Sequence, residues 1–263
     1  MTRTIQQLFD LKGKTALVTG GSRGLGLQMA HALGEAGARI MLSARKADEL
    51  EVAVADLQAA GIDARWVAAD CAKEADIHRL ADETMQRMGD VDILVNNAGA
   101  AWGAPAEDHP IEAWDKVMNL NIRGYFLLSQ VIGKKSMIAR KSGHIINVAS
   151  IAGLGGNPPQ MTTIAYNTSK GAVINFTRAL AAEWGKYSIN VNAICPGFFP
   201  SKMTAGTLEA WGEDKLKEHA PLRRLGDDED LKGLCVLFAS DAGKHITGQW
   251  LAVDGGVSCV TGG

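Results

Sequence analysis

Thr19-Gly20-Gly21-Ser22-Arg23-Gly24-Leu25-Gly26 decides the fold of this chain. The stretch follows a short, mostly apolar run, Lys14 to Thr19. It precedes Leu25, Met29, Leu33 and Ala36, which share one helical face. Strand, glycine turn and helix in that order form a phosphate-binding corner. The glycines permit a tight turn and a close backbone approach to a pyrophosphate, which the helix N-terminus stabilises. The competing phosphate loop fails on spacing: Gly13-Lys14-Thr15 supplies its last three residues, but its first glycine would fall at Leu8, and no helix follows.

Outward from the turn, similar apolar runs recur at 38–43, 64–68, 91–95, 144–148, 189–194 and 249–253. They lack alternation, as expected of parallel strands buried on both faces. Segments with helical spacing separate them, such as Leu50, Val54 and Leu57, with Asp48 as a start signal and Gly61 as a stop. The expectation is an α/β chain: a single-domain, doubly wound Rossmann fold over 1–263, with a seven-stranded parallel sheet and helices on both faces. The irregular stretches 151–163 and 197–225 each follow a strand, which puts them at the carboxyl edge, where such folds bind ligands. The second is read as a lid over the site.

The 263 residues carry 27 Lys+Arg against 29 Asp+Glu, and a net charge of -2 excludes a broadly basic nucleic-acid surface. No apolar run reaches the ~20 residues of a membrane span. The start, MTRTIQQLFDLKGK, has no apolar stretch of signal-peptide length, so the expected location is the cytoplasm. Cys71, Cys195, Cys235 and Cys259 lie far apart with no CxxC, which speaks against a disulfide framework and a structural zinc site. Six histidines show no ligand spacing, and the acid run 227–230 reads as a helix start, so no metal is expected.

A dinucleotide site for NAD usually places an acid at the ribose 2′-hydroxyl, about 20 residues beyond the glycines. Here that region is Ser43-Ala44-Arg45-Lys46, without an acid. Arg45, with Arg23 in the turn, suits a 2′-phosphate, because guanidinium–phosphate contacts are strong and often bidentate. The expected cofactor is therefore NADP(H). Asn96-Asn97-Ala98-Gly99 ends the fourth strand, with Asn96 suited equally to bracing the sheet and to contacting a ligand, and Asn97 and Gly99 read as facing the ligand.

Tyr166 and Lys170 stand four apart, on one helical face. A free phenol titrates near pH ~10. A neighbouring ammonium stabilises the phenolate, so the pair suits general acid–base chemistry. Ser150 ends the strand before that helix and can hold a substrate oxygen. Asn119 and Asn121 interrupt an apolar helical segment, Asn121 being the one expected to point inward. The Asn167-Thr168-Ser169 acceptor pattern is read as accidental.

The glycine turn, Asp70, the Asn-Asn-Ala-Gly run, Asn121, Ser150, Tyr166/Lys170 and Pro196-Gly197 occur in one order. Together they resemble the short-chain dehydrogenase/reductase family over about residues 12–256, and among its branches the gluconate 5-dehydrogenase and 3-oxoacyl-carrier-protein reductase type. The resemblance implies a catalytic set of Asn121, Ser150, Tyr166 and Lys170. Tyr166 would give or take the proton of the carbonyl oxygen, Ser150 would hold that oxygen, Lys170 would lower the phenol pKa and bond the nicotinamide ribose, and Asn121 would position a relay water. It also implies cofactor contacts from Gly20, Ser22, Arg23, Leu25, Arg45, Asp70, Cys71, Asn97, Gly99, Tyr166, Lys170, Pro196, Gly197, Phe199 and Ser201. Relatives assemble as homotetramers, and 257–263 is read as an interface tail.

One feature departs from the family: Ser150 and Tyr166 are sixteen apart, with a longer Gly/Pro loop between them. Trp102, Leu154, Phe198, Met203 and Leu208 are read as an apolar substrate pocket. The expected reaction is reduction of an apolar or mixed ketone to a secondary alcohol, with a sugar-acid or polyol dehydrogenase as the alternative. A catalytically silent dinucleotide sensor would have no need for all four of Asn121, Ser150, Tyr166 and Lys170.

Overall fold

The computed structural model describes residues 2–202 and 204–260. Helix α1 (Ile5–Phe9) leads into β1 (Thr15–Thr19), α2 (Gly24–Glu35), β2 (Arg39–Ala44), α3 (Ala47–Ala59), β3 (Ala64–Ala68), α4 (Glu74–Met88) and β4 (Ile93–Asn96). A curved helical path follows: α5 (Ile111–Met118), a wide π turn at Asn119–Arg123, α6 (Gly124–Ile132), a second at Gly133–Met137, and α7 (Ile138–Arg140). Then come β5 (Gly143–Val148), α8 (Ile164–Trp184), β6 (Ile189–Pro196), α9 (Ala205–Trp211), α10 (Glu213–His219), α11 (Lys232–Ala239) and β7 (Trp250–Val253).

The strands form one parallel sheet in the order β3-β2-β1-β4-β5-β6-β7. The order reverses between β1 and β4, and the carboxyl ends there open a crevice suited to a ligand. Successive side chains of one strand feed opposite layers. Val18 packs with Met29, Leu33, Leu50 and Phe238 on the α2/α3/α11 side, whereas Leu17 packs with Ile77, Leu80, Leu128 and Leu180 on the α4/α6/α8 side. This two-faced burial is why β1, β4, β5 and β6 read as mostly apolar runs without alternation.

The outer strands differ from that expectation. In β3 Arg65 is exposed, and in β7 Trp250 and Leu251 keep 36% and 52% of their surface. Both strands lie at sheet edges, where one flank lacks a neighbour. Helix α3 begins at Ala47, one residue before the expected Asp48, and ends at Ala59, with Ala60 as its C-cap and Gly61 taking φ 80° just beyond. None of the described helices is long and apolar enough to cross a membrane.

Candidate active site

Thr19, at the end of β1, is the hub of the crevice. Its buried hydroxyl donates to the Val95 carbonyl (3.2 Å) and accepts from the backbone N–H groups of Asn97 (3.0 Å) and Ala98 (3.1 Å). The next residue turns: Gly20 takes φ 63° and Gly24 φ 54°, conformations that favour glycine. A Cβ on Gly26 would lie 2.3 Å from the Gly20 carbonyl oxygen, so only glycine lets α2 start this close to the strand.

Asn97 takes part in the same arrangement. Its amide donates to the carbonyls of Thr19 (2.9 Å) and Gly20 (3.1 Å), so the side chain braces the turn while the residue lines the cleft. Of the two roles open to Asn96, the structure gives it the brace. It donates to Ser129 (3.0 Å) and to Asn147 (2.9 Å), which in turn donates to Thr177 (3.0 Å). Asn147, Ser129 and Thr177 were missed because a polar residue inside an apolar strand or helix reveals its partner only when the sheet is assembled.

A cleft of about 730 Å³ opens above these strand ends. Gly20, Ser22, Arg23, Leu25, Arg45, Asp70, Cys71, Asn97, Gly99, Pro196, Gly197, Phe199 and Ser201 line it, together with Ser150, Tyr166 and Lys170. The first turn of α2 has no side-chain cap, and its residues Gly24, Leu25 and Gly26 line the cleft. An uncapped helix end beside a glycine turn fits a pyrophosphate, and the cleft volume falls within the ~300–1,000 Å³ of small-molecule sites. Phe199 differs from expectation in one respect: its ring is 3% exposed and packs against Gly226, so the residue is mainly core. Glu49, Leu120, Lys202 and Asp228 also line the cleft and were not anticipated.

The reacting end is built from β5, β6 and α8. Lys170 is buried, and its Nζ donates to the Val148 carbonyl at 2.7 Å. Burial draws its pKa down to about 8. Burial also raises the Tyr166 phenol above its ordinary value, while the adjoining Ser150 hydroxyl pulls the other way. Desolvation sets the net direction for Tyr166, with the Lys170 ammonium bonded to Val148 and 5.7 Å from the phenol ring centre. The Ser150 hydroxyl also accepts from the Ala152 backbone (3.1 Å), which fixes its orientation at the strand end.

Asn121 lies behind this wall, fully buried in the first π turn. Its Oδ1 accepts from Ala100 N (2.8 Å), and its Nδ2 donates to Ala100 O (2.9 Å) and to Ser169 Oγ (2.9 Å). Both amide hydrogens are therefore used, and the side chain clamps the loop after β4 to the residue before Lys170. A water relay through this side chain would have one acceptor lone pair left to use.

The expected apolar pocket does not assemble. Trp102 is 44% exposed with Lys116 Nζ 5.9 Å from its ring, and Leu154 packs against the buried cluster around Tyr125. Neither they nor Phe198 and Leu208 line the cleft among the described residues, and Met203 lies outside those residues. The reason is that Leu154 sits on a short turn pressed against α8, where a Cβ on Gly153 would meet the Lys170 backbone at 2.5 Å.

Residues 14–211 match the family model for short chain dehydrogenases. The chain belongs to the short chain dehydrogenase family. Curated relatives of this dehydrogenase include a rhamnolipids biosynthesis 3-oxoacyl-[acyl-carrier-protein] reductase from Pseudomonas aeruginosa, 39% identical over 94% of this chain and 97% of the relative. Gluconate 5-dehydrogenase from Gluconobacter oxydans is 34% identical over 95% and 97%. Among solved structures, a gluconate 5-dehydrogenase from Burkholderia cenocepacia in complex with NADP and tartrate superposes with a TM-score of 0.92 at 34% identity, covering 98% of this chain and 100% of that one. The dehydrogenase described here is accordingly an oxidoreductase.

Proposed function

We propose that this enzyme uses NADP(H) to interconvert a ketone and a secondary alcohol, with Tyr166 as the proton donor and acceptor. The observation that carries the reading is the polarity of one cleft: Arg23, Arg45 and Lys46 line it together with the uncapped α2 end, and so do Ser150, Tyr166 and Lys170. When bound, the nicotinamide supplies or accepts the hydride. Ser150 Oγ holds the substrate oxygen, and Tyr166 Oη gives it a proton on reduction and removes one on oxidation. Lys170 places a positive charge beside the phenol when the phenolate forms. Asn121 keeps Ala100 and Ser169 in register behind them.

Carbonyl reduction of an apolar or mixed ketone is the favoured direction and substrate class. Ala98, Ala100, Ala101, Val148, Ala149 and Pro200 give the cleft small apolar walls. A second reading, oxidation of a sugar acid, is favoured by exposed Lys202 on the same cleft, a cation for a substrate carboxylate, and by the gluconate 5-dehydrogenases among the relatives. The same reading makes the enzyme a cytoplasmic homotetramer. Exposed Phe126, edge-on to Phe176, and exposed Trp250 and Leu251 supply apolar surface for subunit contacts.

Initial rates with NADPH and NADH across aryl ketones, β-keto esters and 5-ketogluconate test the assignment, with Tyr166→Phe as control. The phenol hydroxyl is expected to be worth about 10²–10⁴-fold in kcat. NADPH-dependent ketone reduction lost in the variant supports the reading. Activity that survives in Tyr166→Phe overturns the mechanism, and a clear preference for 5-ketogluconate moves the substrate class to sugar acids.

A further inference from the structure

The cleft mouth holds an acid that the end of β2 lacks. Glu49, in the first turn of α3, is partly buried, and its Oε1 accepts from Arg23 Nη1 and from Lys46 Nζ, both at 3.0 Å. Its Oε2 accepts from the Ser22 hydroxyl at 3.4 Å. Glu49, Arg23, Arg45 and Lys46 all line the same cleft. Arg23 and Lys46 thus pair with a single carboxylate at the cleft mouth, and Arg45 lines the same cleft without an ion pair to Glu49.

The two nicotinamide coenzymes differ only at the adenosine ribose. A 2′-phosphate seeks guanidinium and ammonium donors, whereas a free 2′-hydroxyl seeks a carboxylate acceptor. Glu49 acts on both. It occupies donors of Arg23 and Lys46 that a phosphate would use, and it stands as a like charge beside any phosphate that reaches them. It also offers a carboxylate to a hydroxyl, one helical turn beyond the position where the sequence pattern looks for one.

Resting on the reading of this cleft as a dinucleotide site, we propose that Glu49 is a specificity-determining residue that tempers the preference for NADP(H) by competing with the 2′-phosphate for Arg23 and Lys46. The carboxylate holds the two cations at the mouth, and a 2′-phosphate that reaches them must share them with it. A coenzyme without that phosphate meets an intact acceptor. The neighbouring charges therefore set a ratio of affinities, and a single neutralisation at Glu49 shifts it.

The test is the Kd of NADP⁺ and of NAD⁺, by calorimetric titration of the wild-type chain and of Glu49→Gln, with no ketone or alcohol present. Glu49→Gln should bind NADP⁺ about five-fold more tightly, in keeping with a partly exposed ion pair, and NAD⁺ no more tightly than wild type. The gain should shrink as sodium chloride is raised, because added salt screens charges at the cleft mouth. Weaker NADP⁺ binding by Glu49→Gln overturns the proposal and makes Glu49 an organiser of the phosphate donors. An equal change for both coenzymes, or none, overturns it as well, with a thermal melt of the variant confirming that it is folded. A wild-type chain that binds neither coenzyme removes the dinucleotide reading itself. Wild-type binding without the Glu49→Gln shift removes this inference alone.

Discussion

Lys170 Nζ lies 5.7 Å from the centre of the Tyr166 ring and directs its hydrogen bond to the Val148 carbonyl, 2.7 Å away. The ammonium is thus enclosed by backbone and ring faces, with Tyr125 at 5.5 Å on the other side. Holding a charge there is costly, and the pKa falls from 10.5 to about 8. The native state therefore binds fewer protons at Lys170 than the unfolded chain does between these two values. By linkage, this group's contribution to stability rises as pH climbs from 8 towards 10.5, and its penalty is fully present below 8. The penalty is about 3 kcal/mol at neutral pH.

Lys170→Met should therefore be inactive yet more stable than wild type at pH 7, with the advantage fading as pH rises. The Val148 carbonyl keeps a donor in the variant, since the Tyr125 hydroxyl already bonds it at 3.2 Å. Thermal melts of both proteins from pH 7 to 10 check this. The quantity to follow is the difference between them, because burial raises the thiols of Cys71, Cys195 and Cys235 to about 12, 11 and 12, which lowers the stability of both proteins above pH 9. A variant less stable than wild type at pH 7 would show that the buried charge is compensated.

Asn121→Ala leaves the N–H and carbonyl of Ala100 short of a partner inside the protein and removes one donor to the Ser169 hydroxyl, which keeps its bond to the Tyr166 carbonyl. Each such group costs about 1–3 kcal/mol, and a total loss of about 3 kcal/mol is expected because water reaches part of the space. Urea denaturation measures it. The Ala98–Ala101 segment lines the cleft, so coenzyme affinity should fall together with stability. Lost activity at unchanged stability would instead mean that the amide works directly on the reaction.

Much of this was legible in the sequence because glycine and apolar periodicity report backbone constraints. Gly20, Gly24 and Gly26 announce a turn that no other residue can make, and the inner strands announce two-sided burial. Tyr166 and Lys170 are four apart on a helix, a local relationship that spacing alone conveys. Glu49 was not legible: it lies outside the strand end where an acid is sought, and its partner Arg23 is 26 residues away. The bracing role of Asn97, which also lines the cleft, was hidden for a related reason. A polar residue at a strand end faces either a ligand or a neighbouring carbonyl, and only the β1–β4 pairing puts the Thr19 and Gly20 carbonyls within its reach. The apolar pocket failed because hydrophobicity marks burial without saying which surface does the burying, as Leu154 shows.

Asn167 follows Tyr166 directly and ties down the lengthened loop. Its Nδ2 donates to the carbonyls of Ala152 (2.9 Å) and Gly155 (3.3 Å), and its Oδ1 accepts from Thr163 Oγ1 (2.8 Å) and Asn157 Nδ2 (3.2 Å). The residue that read as an accidental acceptor pattern is therefore the clamp of residues 152–163. Gly155 and Gly156 have open space where a Cβ would be, so the loop depends on these bonds rather than on packing. Asn167→Ala should cost about 1–2 kcal/mol, a partial loss because the site is partly wet. Limited proteolysis should then cut faster within 155–161. KM for bulky ketones should change more than kcat, since the Tyr166 and Lys170 backbone stays in α8. Asn157→Ala, which removes only the bonds to Thr163 and Asn167, should show the same signs more weakly. Equal effects of the two variants would place the anchor at the loop tip instead of beside the reacting phenol.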